Sequence, residues 1–178
     1  MTASSTSPLD ALTIATPVGP LAVIVDDGVV VASGFTSVDD QAGRLSPDLQ
    51  ARGVRAVATV AGVSDAVARY LGGDVDALDD VPVRQPGGAF TQEAWHAMRA
   101  VPAGQTLSYA GLAAKAGNER AVRAAGSACA HNLVAPFVPC HRIVRSDGSL
   151  GGYYYGLDVK RWLLAHEAGT ATADQLPL

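Results

Sequence analysis

Hydrophobic residues come first in short β-branched runs. The segment LTIATPVGPLAVIVDDGVVVASGF, Leu12 to Phe35, is interrupted at Val18-Gly19-Pro20 and at Asp27-Gly28. Apolar runs bounded by turn formers predict a strand, a turn and a hairpin. Beyond a polar loop the period changes. In VRAVATVAGVSDAVARYLGG, residues Val60, Val63, Ala66, Val67, Tyr70 and Leu71 recur at helical spacing, with Gly72-Gly73 as a C-terminal stop. The aspartate-rich stretch DVDALDDVPVRQPGGA follows, and its Pro86-Gly87-Gly88 marks a domain boundary.

The second half reads as helical. FTQEAWHAMRAV places Phe90, Ala94, Ala97, Met98 and Val101 on one face, stopped by Pro102 and Gly104. In SYAGLAAKAGNERAVRAAGSACAHN, Ser108 suits an N-cap, Gly117 a C-cap and Asn118 the N-cap of a second helix. Two short helices joined by a tight Gly-Asn turn predict helix-turn-helix geometry. After a turn at Ser146–Gly148, LDVKRWLLAHEAG sets Val159, Trp162, Leu163 and His166 on one stripe and ends at Gly169. The remaining residues, 171–178, are expected to form a flexible tail.

Composition narrows the class. With 178 residues and 48% hydrophobic content, the chain has enough apolar material for an ordinary core. The N-terminal segment lacks a basic region followed by an apolar one, and no apolar run approaches the roughly 18 residues of a membrane span. A soluble, cytoplasmic protein is expected. Only Cys129 and Cys140 are present, which argues against a disulfide framework and leaves room for a functional thiol. The net charge of -4 argues mildly against nucleic acid, but it averages two unlike halves. Residues 1–89 carry 5 basic and 11 acidic side chains, whereas residues 90–178 carry 8 and 6. The two halves are expected to face different surroundings.

Candidate chemistry concentrates in FVPCHRIV, Phe137 to Val144, which otherwise reads as an apolar strand. Cys140 is followed directly by His141 and Arg142, and nearby positive charge favours a thiolate. A buried structural cysteine is the bland alternative. On a regular strand, neighbouring side chains point to opposite faces, so Cys140 and His141 would not touch. This weakens a Cys/His hydrolase reading. A metal site from Cys129, His131, Cys140 and His141 lacks the usual zinc spacing. The helix ERAVRAAGSACA is small-residue-rich, with Arg120 and Arg123 projecting; taken alone it reads as tight helix packing with two solvated arginines, and its place as the second helix of a helix-turn-helix raises the DNA reading. Glu167 in the last turn of the final helix opposes the helix dipole, which suggests another task such as orienting a histidine, beside the commoner reading of a solvated surface glutamate. His166, on the apolar stripe, and His96 read as structural.

These residues converge on a resemblance. PCHRIV preceded by AHNLVAPFV, followed by GGYYYGLDVKRWLLAHE, and led by FTQEAWHAMRAVPAGQTLSYAGLAAKAG resembles the O6-alkylguanine-DNA alkyltransferases, also called methylated-DNA protein-cysteine methyltransferases. The close likeness runs from Phe90 to Glu167, and ATPVGPLAVIVDDGVVVASGF is similar to the family's more variable N-terminal domain. The resemblance implies an α+β fold. A small N-terminal α/β domain with an antiparallel sheet, residues 1–88, would support a mainly helical, winged-helix-like domain with a helix-turn-helix, residues 89–170.

It also implies single-turnover repair of duplex DNA, in which an alkylated guanine is flipped out and its alkyl group moves irreversibly to the protein. O4-alkylthymine is a second candidate lesion. Cys140 would be the acceptor, His141 its base through an intervening water, and Glu167 the group polarising His141. Tyr109 would support protonation of the leaving guanine, and Asn132 matches the family's hinge asparagine. Arg123, rather than Arg120, would fill the gap left in the base stack. Ser108, Ala124 and Ser127 would join the two arginines on the DNA side, in the minor groove. Tyr153, Tyr154, Tyr155, Val138 and Pro139 would line the substrate pocket. No cofactor is implied, the protein would act as a monomer, and no membrane is involved.

Three departures from the family pattern stand out. Leu133 follows the asparagine where proline is common. Tyr154 and Tyr155 occupy positions usually held by small residues, which would narrow the pocket against large adducts. The N-terminal half has no cysteine or histidine, so the structural zinc of some relatives is not expected. The competing class is a lesion sensor or DNA-binding regulator, whose members lack the acceptor cysteine; a thiol hydrolase is a distant third.

Overall fold

The structure is a computed structural model and describes residues 6–171. Strands β1 (Leu9–Thr16), β2 (Gly19–Asp26) and β3 (Val29–Gly34) form an antiparallel meander. Asp27 at φ 49° and Gly28 at φ 81° build the β2–β3 turn, since a two-residue hairpin matching the strand twist needs two left-handed residues. Helices α1 (Val38–Ala42) and α2 (Pro47–Arg52) lead to β4 (Val54–Ala56), which pairs in parallel with β1. The sheet order is therefore β3-β2-β1-β4. Strand β2 is buried from Leu21 to Val25, which explains its unbroken apolar run. Each fully buried Val, Leu or Ile there contributes about 1.5–3 kcal/mol.

Helix α3 (Val63–Leu71) starts later than the apolar spacing predicts. Gly62 sits at φ 78°, a left-handed conformation that a right-handed helix does not continue through. Val60 therefore stays outside, where its carbonyl accepts from the amides of Val63 and Ser64. Pro86-Gly87-Gly88 opens α4 (Ala89–Arg99), whose buried face includes Ala94, Trp95, Ala97 and Met98. Strand β5 (Leu107–Ser108), α5 (Tyr109–Lys115) and α6 (Val122–Ala130) follow, then β6 (Ile143–Val144) and α7 (Leu157–Glu167). β5 and β6 pair in parallel.

Ser108 caps α5 as expected, its hydroxyl accepting from the Gly111 amide at 3.0 Å. Asn118 does not cap α6. Its side chain accepts from the Arg120 amide at 3.1 Å and closes a separate turn, while α6 begins only after Ala121. Arg120 consequently belongs to the turn and not to the helix. The predicted tail lies outside the described residues from 172 onward.

One apolar core joins both halves of the chain: Leu12, Val23, Val67 and Tyr70 pack in the same cluster as Met98, Leu112, Ile143 and Leu163. The edge strand β3 also reaches the second half directly. Ser33 donates its amide to the Leu133 carbonyl at 2.8 Å, and Leu133 completes a smaller cluster with Leu9, Ile24 and Leu45. Among the described residues, no helix is long and apolar enough to cross a membrane.

Candidate active site

The strand expected from Phe137 to Val144 is not formed; only Ile143–Val144 is extended. Cys140–Arg142 make one 3-10 turn, with the Cys140 amide donating to Val138 O at 2.9 Å and the Arg142 amide to Pro139 O at 3.0 Å. Three residues per turn send successive side chains about 120° apart. Cys140, His141 and Arg142 therefore point three ways, and the two-sided strand geometry that separated thiol from imidazole does not apply.

Behind the turn lies a buried charge network. Glu167 comes from the last turn of α7, where it opposes the dipole but faces the 3-10 turn. Its Oε1 accepts from His141 Nε2 at 2.7 Å, Tyr70 Oη at 2.8 Å and Arg142 Nη2 at 3.0 Å, and its Oε2 accepts from Arg142 Nε at 2.9 Å. Arg142 Nη1 donates to Val101 O at 2.6 Å. Burial alone would raise the Glu167 carboxyl, but the His141 imidazole and the Arg142 guanidinium outweigh it and hold the group well below the usual carboxylate range. Tyr70, brought in by α3, is pushed well above an ordinary phenol by burial and by the Glu167 charge. His166 is a satisfied structural residue, bonded through Nε2 to Tyr70 O and stacked on Trp162. Because a carboxylate only accepts, His141 Nε2 carries the shared hydrogen. His141 Nδ1 is buried and has no hydrogen-bond partner among the described residues.

Cys140 is 7% exposed, and burial pushes its thiol above the usual range; a hydrogen bond from Asn132 and the charge of Lys160 offset part of this. The adjacent cations expected to favour a thiolate are not free to do so, since Arg142 is committed to Glu167. A resting thiol needs a base. Asn132 is held in turn, donating one amide hydrogen to Val138 O at 2.8 Å and accepting from Gln85 Nε2 at 3.0 Å and from the Val134 amide at 3.2 Å. Gln85 Oε1 takes the Leu133 amide at 2.7 Å, a donor that a proline at this position would not have. Lys160 is wholly buried and donates to the carbonyls of Ile143, Leu150 and Gly152, tying together the ends of the loop after β6. Gln85, Tyr70 and Lys160 escaped the sequence reading: Gln85 lies in an irregular stretch, Tyr70 reads as one more member of an apolar stripe, Lys160 falls beside the stripe of its helix, and none carries a local sign of its buried partner.

In front of Cys140 opens a cavity of about 190 Å³, lined by Tyr109, Gly126, Cys129, Ala130, Gly152, Tyr153 and Tyr154. Tyr109, the first residue of α5, is half-buried, and burial raises its phenol. Its ring crowds Gly151, where a Cβ would sit 2.8 Å from the hydroxyl and where φ is 70°, so space and backbone both require glycine. The Tyr153 hydroxyl is buried without a partner among the described residues. Three expected lining residues are not among those that line it: Val138 and Pro139 supply the carbonyl acceptors of the 3-10 turn, and Tyr155 turns into the N-terminal half. Cys129 faces the same cavity as Cys140, and burial raises its thiol strongly.

Arg123, Ala124 and Ser127 are exposed on α6, Arg120 is exposed in the preceding turn, and Ser108 is half-buried at the α5 cap. Ala125 and Ala128 form the opposite, buried face, held by Trp95 Nε1 donating to Ala128 O at 2.9 Å. The exposed start of α6 and its cavity-lining end thus belong to one rigid element. No group of three or more His, Cys, Asp or Glu side chains that could hold a metal occurs among the described residues.

Residues 89–169 match the family model described as 6-O-methylguanine DNA methyltransferase, DNA binding domain. A methylated-DNA--protein-cysteine methyltransferase of Salmonella typhimurium is 37% identical over 158 residues, covering 86% of this chain and 92% of that one. A Homo sapiens protein of the same name is 48% identical over 86 residues, 48% of this chain and 42% of its own. Among solved structures, Mycobacterium tuberculosis OGT in complex with DNA superposes with a TM-score of 0.75 at 32% identity, covering 93% of this chain and 96% of that one. With a cysteine set between a buried His-Glu pair and an open cavity, and a helix-turn-helix beside it, the chain belongs to the methylated-DNA--protein-cysteine methyltransferases, which repair DNA by direct alkyl transfer.

Proposed function

We propose that Cys140 takes the alkyl group of O6-alkylguanine in duplex DNA, the base having been flipped into the cavity beside it. The observation that carries this reading is the division around Cys140: a base and its carboxylate partner on the buried side, a small open cavity on the other. His141 Nδ1 is the nitrogen with a free lone pair, so it takes the thiol proton, by way of a water as the resemblance implies. Glu167 stabilises the imidazolium that results. The Sγ–carbon bond then forms as the carbon–O6 bond breaks, with Tyr109 placed to supply a hydrogen bond or proton to the departing guanine. The product is a thioether, which does not release its alkyl group, so each molecule acts once.

Asn132 supports this by orienting the thiol, and the surface of α6 carries the DNA. Arg123, in the first exposed turn, fills the gap that the flipped base leaves, while Ala124 and Ser127 allow close approach to the minor groove. Residues 1–88 act as the supporting unit and residues 89–170 as the unit that binds DNA and accepts the alkyl group. The protein acts as a monomer in the cytoplasm. The test is to incubate it with duplex DNA carrying labelled O6-methylguanine and analyse its peptides by mass spectrometry. One methyl group per molecule, on Cys140, is expected; no transfer at stoichiometric protein overturns the reading. Binding without transfer would instead identify a lesion sensor.

A further inference from the structure

Tyr155 leaves the cavity that its neighbours line. Its hydroxyl accepts from Gln41 Nε2 at 2.7 Å and Arg44 Nη1 at 3.1 Å, and donates to Ser33 O at 3.3 Å. Gln41 is wholly buried, and this is the one hydrogen bond its side chain makes among the described residues. Room for the ring comes from Gly34, the last residue of β3. A Cβ there would overlap Tyr155 Oη and Cζ and Gln41 Nε2, while φ at Gly34 is not in the left-handed region. The glycine therefore answers to space and not to backbone conformation. Phe35 adds an edge contact, its centroid 5.9 Å from that of Tyr155.

What the socket holds is the cavity wall. Tyr154 packs edge-on against Tyr155 at 5.0 Å, lies under the Arg44 guanidinium at 4.2 Å, and lines the cavity while remaining 63% exposed. The Tyr153 ring is also set edge-on to Tyr155, with centroids 5.7 Å apart. The tyrosine triplet lies between Gly151-Gly152 and Gly156, with φ 70° at Gly151 and 98° at Gly156, so local backbone preference does little to fix it. Lys160 ties the Gly152 carbonyl just before the triplet, and the hydrogen bonds that seat Tyr155 itself come from the other half of the chain.

We propose that the socket formed by Ser33, Gly34, Gln41 and Arg44 sets the size of the alkyl group that Cys140 accepts. By seating Tyr155 it holds Tyr154 across the cavity mouth, admitting methyl and other short groups and disfavouring aromatic ones such as benzyl. The N-terminal half thereby selects substrate without touching it. This inference rests on the transfer reading above and deepens it.

The experiment compares the native protein with Gly34→Ala, which fills the socket, and Tyr155→Phe, which keeps the ring but loses its hydrogen bonds. Rates of Cys140 alkylation are measured with O6-methylguanine and O6-benzylguanine in the same duplex, and hydrogen exchange is followed at the amides of residues 153–156. The native protein should favour methyl. The benzyl-to-methyl ratio should rise roughly tenfold in Gly34→Ala and about threefold in Tyr155→Phe, on the scale at which pockets discriminate by size. Methyl transfer should stay within about threefold, as neither change reaches the reacting atoms. Exchange at 153–156 should quicken in both. A native protein that favours benzyl, or an unchanged ratio in folded variants, overturns the proposal. Should Gly34→Ala fail to fold, Tyr155→Phe decides alone. If the native protein transfers neither group, the transfer reading fails, and unchanged exchange in the variants would separately sink the socket.

Discussion

The two walls around Cys140 are held by different forces. Behind it, Glu167 collects four hydrogen bonds from His141, Arg142 and Tyr70, all buried and three of them charge-assisted by a cation or a potential cation. In front, Tyr153–Tyr155 is a loop between glycines; Lys160 holds the Gly152 carbonyl just before it, and the tyrosines themselves are kept in place by one neutral hydroxyl, ring edges and a cation–π contact. Charges in a low-dielectric interior are costly to leave unpaired, so the rear wall tolerates little change. Exposed aromatic contacts are worth far less, so the front wall can vary in sequence while the reaction is kept. The departures from the family pattern at Tyr154 and Tyr155 fall on that front wall.

The sharpest way to break this contrast is Glu167→Gln. It leaves the buried Arg142 without its counter-charge and His141 without its orienting carboxylate, and about 3–5 kcal/mol of stability should be lost. Methyl transfer at neutral pH should fall at least tenfold in the fraction that remains folded, the range for a displaced general base being roughly 100-fold or more. Acid unfolding gives the second readout. Because the folded carboxyl titrates below the ordinary value of 4.5, its contribution is complete above that pH and disappears as pH falls toward the lower folded value. The native protein should therefore lose stability steeply below about pH 4.5, and Glu167→Gln should lose less over the same window. Parallel slopes would show that the network is not what the geometry implies. Tyr70→Phe comes next. A hydrogen bond to a charged group is worth about 1.5–3 kcal/mol, and the loss here should sit at the lower end, because the carboxylate keeps its other three bonds. Thermal unfolding checks it, and a change under 0.5 kcal/mol would count against a fixed rear wall.

The two walls were also unequally legible. The β-branched runs, the Ser108 cap and the final helix could be read directly, because each depends on local period or local capping. Glu167 was marked by its misfit with the helix dipole, a local anomaly that its long-range partner explains. The path from Phe137 to Val144 was not legible: an apolar run does not reveal a 3-10 turn, whose dimensions here follow from Pro139 and from the packing of Glu167. Asn118 looked like a cap and instead closes its own turn, two options that asparagine serves equally well. Tyr155 misled for a different reason. Its sequence neighbours line the cavity, but its destination depends on a glycine 121 positions earlier, and such a vacancy leaves no pattern around the tyrosine itself.

Arg123→Ala tests the remaining link, between the outer surface and the front wall. Arg123 is exposed in the first turn of α6, and the end of the same helix supplies Gly126, Cys129 and Ala130 to the cavity. If the arginine fills the base stack while the cavity receives the extruded guanine, its loss should slow transfer from O6-methylguanine in duplex DNA by roughly tenfold, about 1.4 kcal/mol. Reaction with the free modified base should change by less than about twofold, since no stack then needs filling. Stability should be unaffected, because the side chain is exposed and makes no hydrogen bond or ion pair among the described residues. Equal losses on duplex and free base would mean that Arg123 acts through the fold of α6. The division between a surface that opens the duplex and a wall that sizes the lesion would then have to be redrawn.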